Sequence, residues 1–387
     1  MGSLYGELGV IGMRGCEDFA NQVDSYLREW RRHGDEETYL MTADCPRFGS
    51  GEAKAIVHES MRGHDLYIIT DMFNHSVKFK MYGQDVPMSP DDHYADLKRI
   101  IAAAGGKARR ISVIMPMLYE GRQHKRTTRE SLDCALALQE LVNMGVTNII
   151  TFDAHDPRVS NAIPLSGFDN VRPTYQMLKA LTKKYPDISL SKDDIMVVAP
   201  DEGAMSRSMY YASVMGIELG MFYKRRNYSI IVNGKNPIEA HEYLGRDIKG
   251  KDVIVVDDML ASGESILDVS LQLKEKGAKR VFLFLTFAIF TSGYEVIEKA
   301  YNEGIFTQIF ATNLVYAPDE LLQKPWFTQV NMCKYVAYII DTLNHDESIS
   351  TLLNPVKRIH ALLEKQQAKL AGLKEEQLPL IDENDHK

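Results

Sequence analysis

The chain has 387 residues, with 45 Lys and Arg against 53 Asp and Glu, a formal net charge of −8. Its 45% hydrophobic and 25% charged residues are values of folded globular chains, so disorder as the main state is excluded and there is apolar surface for two domain cores. The acidic balance disfavours a nucleic-acid partner, and four dispersed cysteines without a CxxC pair disfavour a zinc site or a disulfide framework.

The opening MGSLYGELGV lacks the basic start and long apolar stretch of a secretory signal, and a cytoplasmic protein is expected. Short β-branched runs then follow at 66–71, 111–116, 147–152, 195–200, 253–258, 280–287 and 309–312. Amphipathic stretches at 94–104, 131–144, 174–184, 204–215 and 265–276 alternate with them. This is the pattern of right-handed βαβ units with a mostly parallel sheet flanked by helices. The longest apolar run, VFLFLTFAIF at 281–290, is well short of the ~20 residues needed to cross a bilayer; it reads as a buried strand, and no membrane partner is expected. We expect one α/β domain over 1–163, interrupted by an inserted loop at 74–90, and a second over 164–353. From 354 to 387, helical spacing at Ile359, Leu362, Leu363, Leu370 and Leu373 predicts an appended helix ending in an acidic tail.

The strongest chemical signal is VIVVDDMLASGES at 253–265. An apolar strand runs into Asp257 and Asp258 and then into a small-residue loop that opens a helix. Ligands bind beyond the carboxyl ends of strands in open α/β sheets. The loop from Ala261 through Ser262 and Gly263 to Ser265 offers backbone N–H groups, hydroxyls and a helix N-terminus to one phosphate. The two carboxylates stand where vicinal sugar hydroxyls would lie, so the motif describes a ribose 5-phosphate clamp. By itself it does not separate transferases that consume phosphoribosyl diphosphate from the synthetase that makes it.

Further segments bear on that choice. RFGSGE at 47–52 is followed by ESMRGHD and the run LYIIT. MPMLYEGRQHKR at 115–126 follows a strand, IITFDAHD covers 149–156, APDEG covers 199–203, and FYKRR covers 222–226. Their order and character resemble the ribose-phosphate diphosphokinases, from about Gly9 to Leu353. The resemblance implies two phosphoribosyltransferase-like, Rossmann-like domains. It also implies transfer of the β,γ-diphosphoryl group of MgATP to the C1 hydroxyl of ribose 5-phosphate, giving 5-phosphoribosyl 1-diphosphate and AMP for nucleotide biosynthesis. On it, Phe48, Glu52, Arg122, Gln123 and His155 hold ATP, and Lys224 and Arg226 are the catalytic cations. Asp201, Asp257, Asp258, Ala261, Ser262, Gly263 and Ser265 hold ribose 5-phosphate, and His155 and Asp201 are ligands of Mg2+. A homo-oligomer is implied, with the ATP site shared between subunits.

Four positions depart from the family pattern: Ser50, His124, Ala261 and Glu264. The altered phosphate loop leaves open the same transfer to a larger 5-phosphoribosyl acceptor. A catalytically silent regulatory homologue is a third reading, against which stand the retained His155, Lys224, Arg226 and both aspartates.

Overall fold

The computed structural model describes residues 4–31, 38–226 and 238–372, without the side chains of 224–226 and 238–241. It divides into two units, one comprising Met1–Pro173, Asn313–Tyr316 and Asn331–Asn354, the other Thr174–Thr312, Ala317–Val330 and Pro355–Lys387.

The first unit runs β1 (Glu7–Gly12), α1 (Glu17–Arg31), β2 (Ala43–Asp44), β3 (Ile56–Val57), β4 (His64–Ile69), β5 (Lys78–Met81), β6 (Gln84–Pro87), α2 (Pro90–Ala104), β7 (Arg110–Ile114), α3 (Asp133–Asn143), β8 (Asn148–Phe152) and β9 (Gly167–Val171). Its main sheet has the order β1-β4-β7-β8-β9, and all its pairs are parallel. The crossover helices α2 and α3 lie on one face of this sheet. There Tyr94, Leu97, Ile100 and Ile101 of α2 and Leu138 and Leu141 of α3 pack on Leu66, Ile68, Val113 and Ile149.

Other apolar side chains of the same strands then need cover from elsewhere in the chain. They receive it from α9 (Cys333–Asn344), which follows the second unit's last strand and returns to the first. Tyr335 of α9 meets Phe152 edge-on at 6.5 Å, and Tyr338 stacks on Trp30 of α1 at 4.1 Å. A buried polar knot fixes the end of α9. Arg110 forks onto Asp65 at 2.7 and 2.6 Å, and the Asn344 amide donates to the same carboxylate at 2.9 Å. Thus α9 and the short α10 (Ser350–Leu353) pack with the first unit rather than with the block at 164–353. Both are parts of one contiguous stretch in sequence, so periodicity alone does not reveal this return.

The second unit contains α4 (Thr174–Lys184), β10 (Ile195–Ala199), α5 (Met205–Met215), β11 (Glu218–Arg226), β12 (Ile238–Leu244), β13 (Asp252–Leu260), α6 (Glu264–Glu275), β14 (Arg280–Ala288), α7 (Glu295–Asn302), β15 (Gln308–Thr312), α8 (Asp319–Leu322) and β16 (Phe327–Val330). Its strand order is β12-β11-β10-β13-β14-β15-β16, parallel except for β12 on β11. Residues 253–256 and 281–285 are apolar without interruption because these central strands are covered on both faces. On one side α6 and α7 bring Ile266, Val269, Leu273 and Ile297 into the core; on the other, Tyr185 and Tyr211 meet Phe282 and Phe284 edge-on.

One sequence expectation changes here. The segment 74–90 is not an irregular loop, because β5 and β6 form an antiparallel hairpin across Tyr82-Gly83. Phe79, Met81 and Val86 project to one side and cluster with Val77 and Met88. The appended helix is α11 (Val356–Leu370), and it docks on its own unit. Ile359 and Leu362 are buried, and Gln366 donates to the carbonyls of Pro186 and Ile188. The expected acidic tail lies outside the described residues. Among those described, no helix is long and apolar enough to cross a membrane.

Candidate functional site

The order of the second sheet places a topological switch between β10 and β13. From β10 the chain moves outward to β11 on one side, then returns to β13 on the other. Loops leaving the carboxyl ends of two such strands diverge and leave a crevice for a ligand. Asp201 follows β10, while Asp257 and Asp258 lie near the end of β13. The strand does not stop at the acidic pair; pairing with β14 continues to Leu260, whereas pairing with β10 ends at Val255. The carboxylates therefore stand on a strand that outruns its neighbour.

Arg207, from the first turn of α5, faces both. Its Nη1 is 3.7 Å from Asp257 Oδ1, and its Nη2 is 3.8 Å from Asp258 Oδ2. Burial pushes the Asp257 carboxyl well above the usual range, the charge of Asp258 adds to this, and Arg207 offsets part of it. Asp201 adds further negative charge and accepts the Ala204 N–H at 3.2 Å. Among the described residues the arrangement is a partly buried acidic cluster, suited to sugar hydroxyls and a divalent cation. Sequence motifs alone give Arg207 no role. Its position one turn into the helix after the Asp201 loop is the signal that places it here.

After Leu260, Ala261 and Ser262 form the turn into α6, and Gly263 is its N-cap, with φ of 86°. A Cβ at Gly263 would meet Ile297 Cδ1 at 2.7 Å, so both conformation and space require glycine. Being glycine, the N-cap has no side chain to cap this helix. Ser265 and Glu264 are both exposed in the first turn.

In the first unit, the chain after β7 carries Arg122, Gln123 and His124, and the chain after the adjacent β8 carries His155. The structure brings these segments together. The rings of His124 and His155 are 5.4 Å apart, and His124 Nε2 lies 3.5 Å from Asp156 Oδ2. Gln123 holds the loop through its amide, which donates to Ser131 O at 2.9 Å, leaving Arg122 and His155 exposed. Asp153 sits directly after β8 with φ of 44°, a rare conformation for a side-chain-bearing residue. Asp156 is held low, at about 2, mainly by its bonds to Arg158.

Phe48 and Glu52 stand on a different loop of the same unit, before β4. The Phe48 N–H donates to Glu52 O at 2.7 Å, and the Gly51 N–H to Phe48 O at 2.9 Å, a tight turn that leaves the Phe48 ring 57% exposed. Ser50 Oγ donates to the Glu52 carboxylate at 3.0 Å, so the departure at Ser50 keeps a polar contact inside the loop. Lys224 and Arg226 are late residues of β11; their side chains lie outside the described residues. Among the described residues, no three His, Cys, Asp or Glu side chains gather as a ready-made metal cage.

Fold and crevice together define a phosphoribosyltransferase-like α/β protein. Two family models match the chain, the N-terminal domain of ribose phosphate pyrophosphokinase over residues 8–145 and the phosphoribosyl transferase domain over residues 169–307. The chain belongs to the ribose-phosphate pyrophosphokinase family. A ribose-phosphate pyrophosphokinase of Vibrio cholerae is 27% identical over 319 residues, 81% of this chain and 92% of the relative. One of Nostoc sp. is 26% identical over 309 residues, 79% and 84% of the two chains. A crystal structure of phosphoribosylpyrophosphate synthetase from Mycobacterium smegmatis matches with a TM-score of 0.70 at 22% identity, covering 88% of this chain and 99% of that one, and has the same fold.

Proposed function

We propose that the protein transfers the β,γ-diphosphoryl group of MgATP to the anomeric hydroxyl of ribose 5-phosphate, releasing 5-phosphoribosyl 1-diphosphate and AMP. The observation that carries this reading is the acidic pair Asp257-Asp258 at the switch point, followed within the same segment by the Gly263 turn that opens α6. One end of this crevice suits vicinal hydroxyls, the other a phosphate.

In the reaction the C1 oxygen attacks the β-phosphorus in line, and the bond from that phosphorus to the oxygen bridging to AMP breaks. Catalysis is then positioning and charge neutralisation. Ser262, Gly263 and Ser265 would bind the 5-phosphate, with Ala261 as the turn that presents them. Asp257 and Asp258 would orient the ribose, while Arg122, Gln123 and His155 would hold the ATP phosphates and Phe48 with Glu52 the adenine. Lys224 and Arg226 would meet the charge that develops in transfer. The carboxylate-rich crevice fits Mg2+, which is bound by few protein groups plus substrate phosphates and waters. Asp201 in the second unit and His155 in the first are the residues that would each hold such an ion, and its chemistry there would be neutralisation of phosphate charge.

On this reading the first unit serves ATP and the second ribose 5-phosphate, in a cytoplasmic homo-oligomer that shares its ATP site between subunits. An AMP-release assay with ribose 5-phosphate and with bulkier 5-phosphoribosyl compounds tests the acceptor. Ribose 5-phosphate should give the highest kcat/KM, and preference for a bulkier acceptor would replace it.

A further inference from the structure

The hairpin β5–β6 has no part in the reaction above, yet it is fastened to the loop that carries Phe48. The Tyr82 N–H at its tip donates to Gly49 O at 2.9 Å. Below the tip, the Arg47 guanidinium lies 4.8 Å over the Phe79 ring while forking onto Asp96 of α2 at 2.6 and 3.0 Å. Met81 Sδ packs so closely on Gly51 that a Cβ there would stand 2.8 Å away. The loop and hairpin thus share one support.

Tyr82 itself is out of place by local criteria. The two-residue connection has φ of 49° at Tyr82 and 78° at Gly83, a turn whose first position favours Asn, Asp or Gly. The ring is 81% exposed, so burial does not offset the unfavourable backbone. Two exposed aromatic residues, Phe48 and Tyr82, are therefore displayed on segments joined by a main-chain bond. Flat apolar faces of that kind suit a purine base, which stacks on aromatic rings.

We propose that Tyr82 is a second aromatic contact for the adenine of ATP beside Phe48, a specificity-determining residue supplied by the inserted hairpin. This rests on the reading that the 47–52 loop receives adenine. The test is calorimetric binding of MgATP and of magnesium tripolyphosphate to the full chain and to Tyr82→Asn and Tyr82→Phe. Asn fits the turn, so the variant keeps the hairpin.

The full chain should bind MgATP more tightly than tripolyphosphate. Tyr82→Asn should lose about fivefold or more in MgATP affinity, the loss of one stacking contact, while tripolyphosphate binding stays within about twofold and Tyr82→Phe keeps MgATP affinity. The inference is overturned by unchanged MgATP affinity in Tyr82→Asn, by equal loss for both ligands, or by absence of adenine preference in the parent. A changed subunit number of Tyr82→Asn in light scattering also overturns it, since Tyr82 would then serve a contact between copies. Failure of the diphosphokinase reading looks different: adenine preference with no AMP released in the presence of ribose 5-phosphate.

Discussion

Arg207 reaches Asp257 from a neighbouring element, Nη1 to Oδ1 at 3.7 Å, and it is the helix after β10 that delivers the cation to the strand β13. The guanidinium is 9% exposed and serves Asp258 as well. Removing it leaves the buried Asp258 and the half-buried Asp257 carboxylates to repel one another. We expect Arg207→Ala to lower stability by about 1–3 kcal/mol, less than a tightly bonded buried pair because the separations are long. Urea unfolding measures this. The same variant should lose more in kcat/KM for ribose 5-phosphate than in KM for ATP, because the disturbed group faces the sugar.

The Gly263 turn gives a second expectation. Gly263→Ala imposes a Cβ on a left-handed residue and drives it toward Ile297. A cost of about 1–3 kcal/mol follows from backbone strain and the contact, with a raised KM for ribose 5-phosphate. A variant with parental KM and parental melting temperature would separate this turn from the 5-phosphate.

Asp71 follows β4 and is buried, where its carboxylate accepts the N–H of Phe73 at 3.0 Å and of Tyr316 at 2.6 Å. Burial raises its carboxyl from 3.8 to about 6 despite these bonds. A raised carboxyl binds its proton more tightly in the folded state, so its contribution is most favourable below pH 4 and is lost as pH rises through about 6. Relative to Asp71→Asn, the parent should therefore lose about 2–3 kcal/mol of unfolding free energy between pH 4 and pH 7. Urea titrations of both proteins at several pH values check this, and a flat difference contradicts it.

The sequence discloses the sheets where burial makes strands apolar throughout. The expected 195–200 and 280–287 differ by one residue from β10 and β14, and the helix expected at 174–184 coincides with α4. The acidic pair is legible for the same reason, since carboxylates at the end of a run such as VIVV have no role in a core. The hairpin at 78–87 is not legible, because Phe79, Met81 and Val86 alternate only across a turn whose first residue is Tyr. Nor is the allegiance of α9, because pairing over hundreds of residues, such as Asn344 with Asp65, leaves no local period. Arg207 needs the turn of α5 to become a partner of Asp257 and Asp258.

The docking of α11 yields a stability prediction. Gln366 is 5% exposed and satisfies two carbonyls, at 3.1 Å to Pro186 and 2.9 Å to Ile188. Gln366→Ala would leave both acceptors without that donor, and we expect about 1–3 kcal/mol of destabilisation, read as a lower melting temperature. If α11 were a solvated appendage, the melting temperature would not change.

The most direct test of the proposed reaction is phosphorus NMR of the purified chain incubated with MgATP and ribose 5-phosphate. The account predicts AMP and 5-phosphoribosyl 1-diphosphate in equal amounts, formed only when ribose 5-phosphate is present. Formation of ADP with a singly phosphorylated product, or no turnover at all, would contradict it.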